Sequence, residues 1–429
     1  MTVGMEMHAF LRELYPVCRS ITGNGLRETL GSIGHKIPLK LHEIPSGARL
    51  FDWRVPQEWN IRDAYVKDSR GRRVIDFRKH NLHVVNYSVP VRATLSLAEL
   101  KPHLHSLPNH PSWIPYKTSY YQPSWGFCVP HKVVESLRQD RFEVCIDSSL
   151  ADGSLTYAEC RLPGTTNEEV LIYTHACHPS LANDNLSGIA VATFLARTLQ
   201  NRPRRLTYRF VFAPGLIGAL AWLARNRRSL HRLRYGLVLS GVGDAGQFTY
   251  KQSRQGNSLI DRVVAHVLRQ SGEPHEIRPF TPYGYDERQF CSPGFNLPVG
   301  CLMRTPFDEY PEYHTSADNP EFVEPSSLAG ALEVCQHVVA LIEANVTYRN
   351  LLPFGEPQLG KRGLYTSVHH RDAAKPDPMA VLWMLNLTDG THSLLDIAER
   401  SRCDVNLLDQ AASVLAEAGL LEPLQRKSH

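Results

Sequence analysis

The segment THACHPSLANDNLSG, residues 174 to 188, gathers His175, Cys177, His178 and Asp184 into a single loop. Imidazole and carboxylate groups are the donors a zinc-class ion takes, at about 2.0–2.2 Å. His175 ends the mostly apolar run EVLIYTH, and Asp184 lies just before a helical run that starts near Leu186 or Ser187. In open α/β sheets, ligand sites form beyond the carboxyl ends of the strands, so both side chains should emerge in that crevice. His178 reads as a second ligand, a supporting neighbour or a substrate contact. Cys177 reads better as a small buried filler than as a thiolate ligand. Any one of these residues could cap a turn, so the case rests on what the other strand ends carry. YGLVLSGVGD puts Asp244 just past another strand, and EYPEYHTSADN puts His314 in a polar loop before the last long helix. Four candidate ligands at the ends of different sheet elements, His175, Asp184, Asp244 and His314, are hard to explain as unrelated caps.

The elements that must position them follow from periodicity. Residues 8 to 35 read as one or two short helices with a break at Gly23 and Gly25. From Trp53 to about Asp147, short runs such as RVIDF, HVVNYSV and FEVCID alternate with turn formers, the pattern of a small β-rich module. From Leu155 to Asn345, strand-like runs (EVLIYTH, LTYRFVFAP, YGLVLSGVG, LPVGCLM) alternate with helix-like ones. That rhythm predicts an α/β domain whose largely parallel sheet is sandwiched between helices. The expected domains are 1–50 with 150–350 as the metal-binding α/β domain, 51–149 as an inserted β-rich domain, and 360–429 as a winged-helix-like domain. In the last, PMAVLWMLN, SLLDIAERSR and VNLLDQAASVLAEAGLL give three helical segments.

A chain of 429 residues with 42% hydrophobic and 21% charged residues is ordinary for a soluble globular protein. A net charge of +4 neither demands nor excludes a polyanionic partner. Residues 360–429 hold eight Lys/Arg against nine Asp/Glu. A DNA-binding winged helix should be clearly basic, so nucleic acid is not expected as a partner, and packing or homo-oligomer formation is preferred for that module. Nine cysteines without CxxC pairs suit reduced thiols. The N-terminus lacks a signal pattern, and no apolar run approaches the roughly 20 residues that cross a bilayer. A cytoplasmic protein acting on a small-molecule or peptide substrate, without a membrane partner, is the expectation.

EVLIYTH…ANDNLSG…VGD…YHTSADN resembles the zinc-dependent aminopeptidase family that also includes the glutaminyl cyclases. The resemblance implies a three-layer α/β/α fold and a co-catalytic metal pair. Carried onto this sequence, the ligands are His175, Asp184 as the bridge, Asp244 and His314. VPQEWNIRDAYV…VIDF…LHVVNYS…IPYKTSYY…WGFC, followed by a winged-helix-like tail, is similar to a bacterial subgroup of aminopeptidase-like proteins with an inserted β domain, over nearly the entire chain.

The chain departs from that pattern at one place. Where the subgroup carries P-E-T-I-G-S, with a Glu that serves as general base or ligand, this sequence reads Pro214, Gly215, Leu216, Ile217, Gly218. A base must come within about 2.6–3.2 Å of the proton it takes, directly or through one water, and Gly215 cannot. The expectation is therefore one firm zinc site at His175, Asp184 and Asp244, with the second, at His314, weak or empty. In TPYGYDERQF, Asp286 and Glu287 are the candidate replacement acid/base groups. Arg288 is a candidate clamp for a substrate carboxylate, and Tyr313 and His178 are candidate substrate contacts. The implied activity is hydrolysis of an amide bond in an amino-acid-like or peptide substrate. A repurposed acyl-transfer or cyclisation enzyme and a non-catalytic binding protein are the competing readings.

Overall fold

The apolar runs assemble into one eight-stranded mixed sheet. Across it the strands run Lys40–Pro45, Ser154–Leu162, Thr207–Ala213, Glu169–His175, Leu233–Leu239, Val299–Met303, Phe248–Lys251 and His275–Arg278. The four central strands, Thr207–Ala213 to Val299–Met303, are mutually parallel, and antiparallel pairings join the outer strands on either side. Every residue of EVLIYTH and of TYRFVFA is buried, as expected for parallel strands covered on both faces. This computed structural model describes residues 1–138, 140–364 and 376–424. His369 and His370 lie outside them.

The connections fix where a site can form. From Glu169–His175 the chain passes through the helix Gly188–Leu199 to the neighbour on one side. It then returns through the helix Ile217–Asn226 to Leu233–Leu239 on the other side. Right-handed crossovers in opposite directions put these two helices on opposite faces of the sheet. The direction reverses at the carboxyl end of Glu169–His175, so the crevice opens at His175. The helix Leu259–Ser271 shows how local sequence sets an element's ends. Ser258 and Asp261 form a capping box at its start, and Gly272, at φ 71°, closes it in the left-handed region that glycine adopts freely.

Residues 51–149 are inserted in topology yet do not form a core of their own. Their four-stranded antiparallel sheet has the order Arg73–Asp76, Glu58–Lys67, Arg141–Ala151, Val91–Ser96. Arg141–Ala151 turns directly into Ser154–Leu162 of the large sheet. Trp59, Val66, Phe142 and Ile146 of the insertion share one hydrophobic cluster with Tyr173, Val211, Trp222 and Val238.

Two units divide the chain, Met1–Cys335 and Gln336–His429. In the second, three helices (Pro378–Leu387, Leu394–Ser401, Val405–Glu417) pack with a three-stranded sheet. Thr347–Asn350 is the middle strand of that sheet, so the expected start at residue 360 is corrected. The strand's pairing with Asp389–Ser393 and Leu421–Pro423 ties it to the C-terminal unit, not to the α/β domain. A second correction concerns the 20-residue helix Pro325–Ala344, with hydropathy 1.3, which is by length and composition long enough to cross a bilayer. Leu328, Leu332, Val338 and Ile342 on it are buried within the protein. All nine cysteines are free thiols, seven of them buried.

The shared cluster makes a prediction. Trp59→Ala should destabilise the first unit by about 3–5 kcal/mol. Hydrogen exchange in residues 58–67 and 207–213 should then accelerate together, whereas acceleration confined to 58–67 would show an independently folding insertion.

Candidate metal centre

His175, at the end of its strand, and Asp184, nine residues on, meet at 2.9 Å between Nε2 and Oδ1. His178 Nδ1 lies 3.8 Å from the same oxygen. His314 approaches the other oxygen, Nε2 to Oδ2 3.0 Å. Asp184 is fully buried, so one carboxylate is enclosed by three imidazoles. Burial alone would raise its pKa, but the hydrogen bonds from His175 and His314 help hold it well below the usual carboxylate range.

The donor set fits a metal ion. Among the described residues, His175, His178 and Asp184 offer one ligand atom each, all within 4.8 Å of one another. Two atoms bound tetrahedrally at about 2.1 Å stand about 3.4 Å apart, between the two separations at Oδ1. Burial pushes His178 down to about 3, which keeps its imidazole neutral. Its Nδ1 is buried without a hydrogen-bond partner. A neutral ring nitrogen with a free lone pair beside a buried carboxylate is what a divalent ion takes. His178 therefore stands with His175 and Asp184 as a group that could hold a metal ion.

Asp244 does not join it. Its Oδ2 accepts from Asn183 Nδ2 (2.9 Å), and its Oδ1 accepts from Gly246 N–H (2.8 Å) and the Thr305 hydroxyl (2.6 Å). This carboxylate braces Asn183, the neighbour of Asp184. The expected trio of His175, Asp184 and Asp244 is thus corrected, because Asp244 already has its hydrogen bonds within the protein.

A residue the motif reading passed over holds the loop. Asp318 accepts N–H groups from three consecutive residues: Ala182 (3.1 Å), Asn183 (2.6 Å) and Asp184 (3.0 Å). Burial pushes its carboxyl up to about 7 against the pull of those N–H groups. Its signal was present as the aspartate of YHTSADN. Asn185 bridges Thr174 Oγ1 (2.7 Å) and Gly241 N–H (3.2 Å), tying the loop to two strand ends.

The insertion supplies a wall. Tyr116 stands edge-on to His178 (5.2 Å) and His314 (5.1 Å), and its N–H donates to the His314 carbonyl at 2.7 Å. IPYKTSYY marked the family, but nothing in its local pattern shows that Tyr116 reaches the centre. Tyr313 stacks on His314 at 3.9 Å and Tyr285 on His175 at 5.4 Å.

The two acidic candidates separate. Glu287 is buried in an ion pair with Lys251 (Nζ to Oε1 2.5 Å), which corrects its assignment as an acid/base group. Asp286 is also buried, and its Oδ1 accepts the Leu216 N–H at 2.6 Å. Burial pushes its carboxyl up to about 6, opposed most by the charge of His175. Beside it, a Cβ on Gly215 would lie 3.5 Å from Cys177 Sγ and 3.9 Å from the His175 Cβ. Asp286 is thus bonded, from a different loop, to the backbone of the residue that follows Gly215. Arg288 is half-buried with Nε unpartnered.

The family described as "Domain of unknown function (DUF4910)" matches residues 8–345, and a winged helix-turn-helix family matches residues 346–423. A Clostridium acetobutylicum protein, provisionally named for polysaccharide biosynthesis with an aminopeptidase-like domain, is 48% identical over 98% of this chain and 96% of its own. A crystal structure from the same organism, provisionally described as a peptidase, superposes with TM-score 0.93 at 47% identity, covering 98% of this chain and 96% of that one. The zinc aminopeptidase from Bacillus subtilis superposes with TM-score 0.58 at 15% identity, over 79% of this chain and 95% of that one, and so shares the fold. The chain belongs to the DUF4910 family, with an aminopeptidase-like α/β domain followed by a winged helix.

Proposed function

We propose that the chain is a metal-dependent hydrolase of the amide bond in a small amino-acid-like or peptide substrate, with Asp286 as its general base. The observation that carries the reading is the buried Asp286 carboxylate beside Gly215, close enough to the centre for His175 to influence it electrostatically. His175, His178 and Asp184 would hold a zinc-class ion, and His314 faces the far oxygen of Asp184. When bound, such an ion supplies Lewis acidity, polarising a carbonyl and lowering the pKa of water.

The chain's own groups do the rest. Asp286, with a pKa raised toward neutrality, can take a proton and return it to a leaving amine. Leu216 N–H holds one of its oxygens, and the Tyr173 hydroxyl also interacts with the carboxyl. Tyr116, Tyr285 and Tyr313 surround the imidazoles with aromatic surface, which limits water and strengthens local electrostatics. Arg288, half-buried with its Nε unpartnered, would meet a substrate carboxylate through its planar fork. The Clostridium relative's name sets a polysaccharide-building context beside this reading, and an acylated amino sugar carries the same type of amide bond.

Two tests follow. Purified protein should bind one zinc-class ion per chain. Asp184→Asn should abolish that binding, and Asp318→Asn should weaken it by about 10–100-fold; an Asp184→Asn variant that loads like the native protein would contradict the centre. Turnover should be sought on aminoacyl amides, dipeptides and N-acetylated amino sugars. Asp286→Asn should lower kcat about 10²–10⁴-fold without metal loss. Because the base acts as carboxylate, activity should be full at higher pH and fall as pH drops through its pKa. A nearby cation lowers that pKa, so the acid limb should lie at or below about 6. No turnover by metal-loaded protein on any of these amides would favour a binding protein over an enzyme.

A further inference from the structure

At the amino-terminal end of the parallel strands, a cavity of about 450 Å³ opens on the sheet face covered by the helix Ile217–Asn226. Arg209, inside it, lies four residues before Ala213, the register partner of His175. At about 3.3 Å per residue, that is roughly 13 Å along the strand from the metal centre. The cavity is separate from the site described above.

Its charges are unbalanced in a specific way. Arg209 is buried and fully engaged: it ion-pairs with Glu159 (Nη2 to Oε2 2.9 Å) and Glu169 (Nη1 to Oε2 3.1 Å), and donates to Asn226 Oδ1 at 2.7 Å. That cluster keeps one surplus negative charge. Around it stand three exposed cations: Lys40, Arg161 and Arg225. Arg161 is the direct cross-strand partner of Arg209, whose own charge is taken up by Glu159 and Glu169. Glu159 sits opposite Lys40, but both its oxygens are already on Arg209. Among the described residues, no carboxylate comes within ion-pair distance of Lys40, Arg161 or Arg225. The lining together with Glu169 behind Arg209 therefore carries an excess of two positive charges.

The remaining wall is aromatic. His42 stacks on Tyr157, ring centroids 4.7 Å apart and 14° from parallel. Burial lowers the His42 pKa, opposed by Glu159 and reinforced by Arg225, Lys40 and Arg209.

We propose that this cavity binds a phosphomonoester. A phosphate ester carries about −1.5 to −2 charge near neutral pH, which matches the excess. Arg161 and Arg225 would take its oxygens in fork geometry, with Lys40 as a point charge and the organic group against the His42–Tyr157 stack. No bond is made or broken; this is a recognition site.

The test uses the full chain with phenyl phosphate and methyl phosphate as probes, followed by calorimetry. The native protein should bind phenyl phosphate saturably and more tightly than methyl phosphate, and more weakly as salt rises. The double variant Arg161→Gln/Arg225→Gln changes only exposed side chains and should lose at least about tenfold in affinity. Chelation of divalent ions should leave binding unchanged. The proposal is overturned if the double variant binds like the native protein, if the two esters bind equally, if no saturation is found, or if chelation removes binding and so places phosphate at the histidine centre.

Discussion

A single buried carboxylate organises the first unit's chemistry. Removing the charge of Asp184 from water costs several kcal/mol unless hydrogen bonds or opposite charge compensate. Three imidazoles surround it, and the one on His178 keeps a bare nitrogen in a dry place. That combination suits a cation far better than it suits a closed hydrogen-bond network. Asp318 makes the arrangement rigid by gripping three successive N–H groups of the loop. Asp244 does the same through Asn183. Two acidic residues thus hold a third in place, and the latter faces the histidines.

The fold makes that convergence possible. Reversal of the crossover direction at His175 opens the sheet there, and the loop carrying His178 and Asp184 leaves from the same point. The inserted strands share the hydrophobic cluster of the main sheet, so the loop bearing Tyr116 is anchored to the same rigid body as the ligands. That loop's aromatic ring can then sit against His178 and His314 with its backbone bonded to the latter. Under the proposed function, Asp286, bonded to the Leu216 N–H from a different loop, supplies the carboxyl group that Gly215 does not.

Much of this was legible in the sequence. Continuous apolar runs gave the parallel strands, since a strand buried on both faces has no polar side to alternate. The strand-end rule located His175 and Asp184, and the polar YHTSADN loop located His314. Asp244 misled because a strand-end aspartate reads the same whether it faces an ion or a set of N–H and hydroxyl donors; only its partners tell. His178 and Glu287 were each assigned a neighbouring role for the same reason. Glu287 depends on Lys251, which lies far along the chain. Tyr116 and the strand Thr347–Asn350 depend on pairings across long sequence separations, which periodicity does not record.

Anomalous diffraction from zinc-soaked crystals tests the central claim most directly. A single strong peak should lie within coordination distance of His175, His178 and the Oδ1 atom of Asp184, with Asp244 outside its shell. A peak centred on Asp244, or no peak within reach of Asp184, would contradict the centre described here.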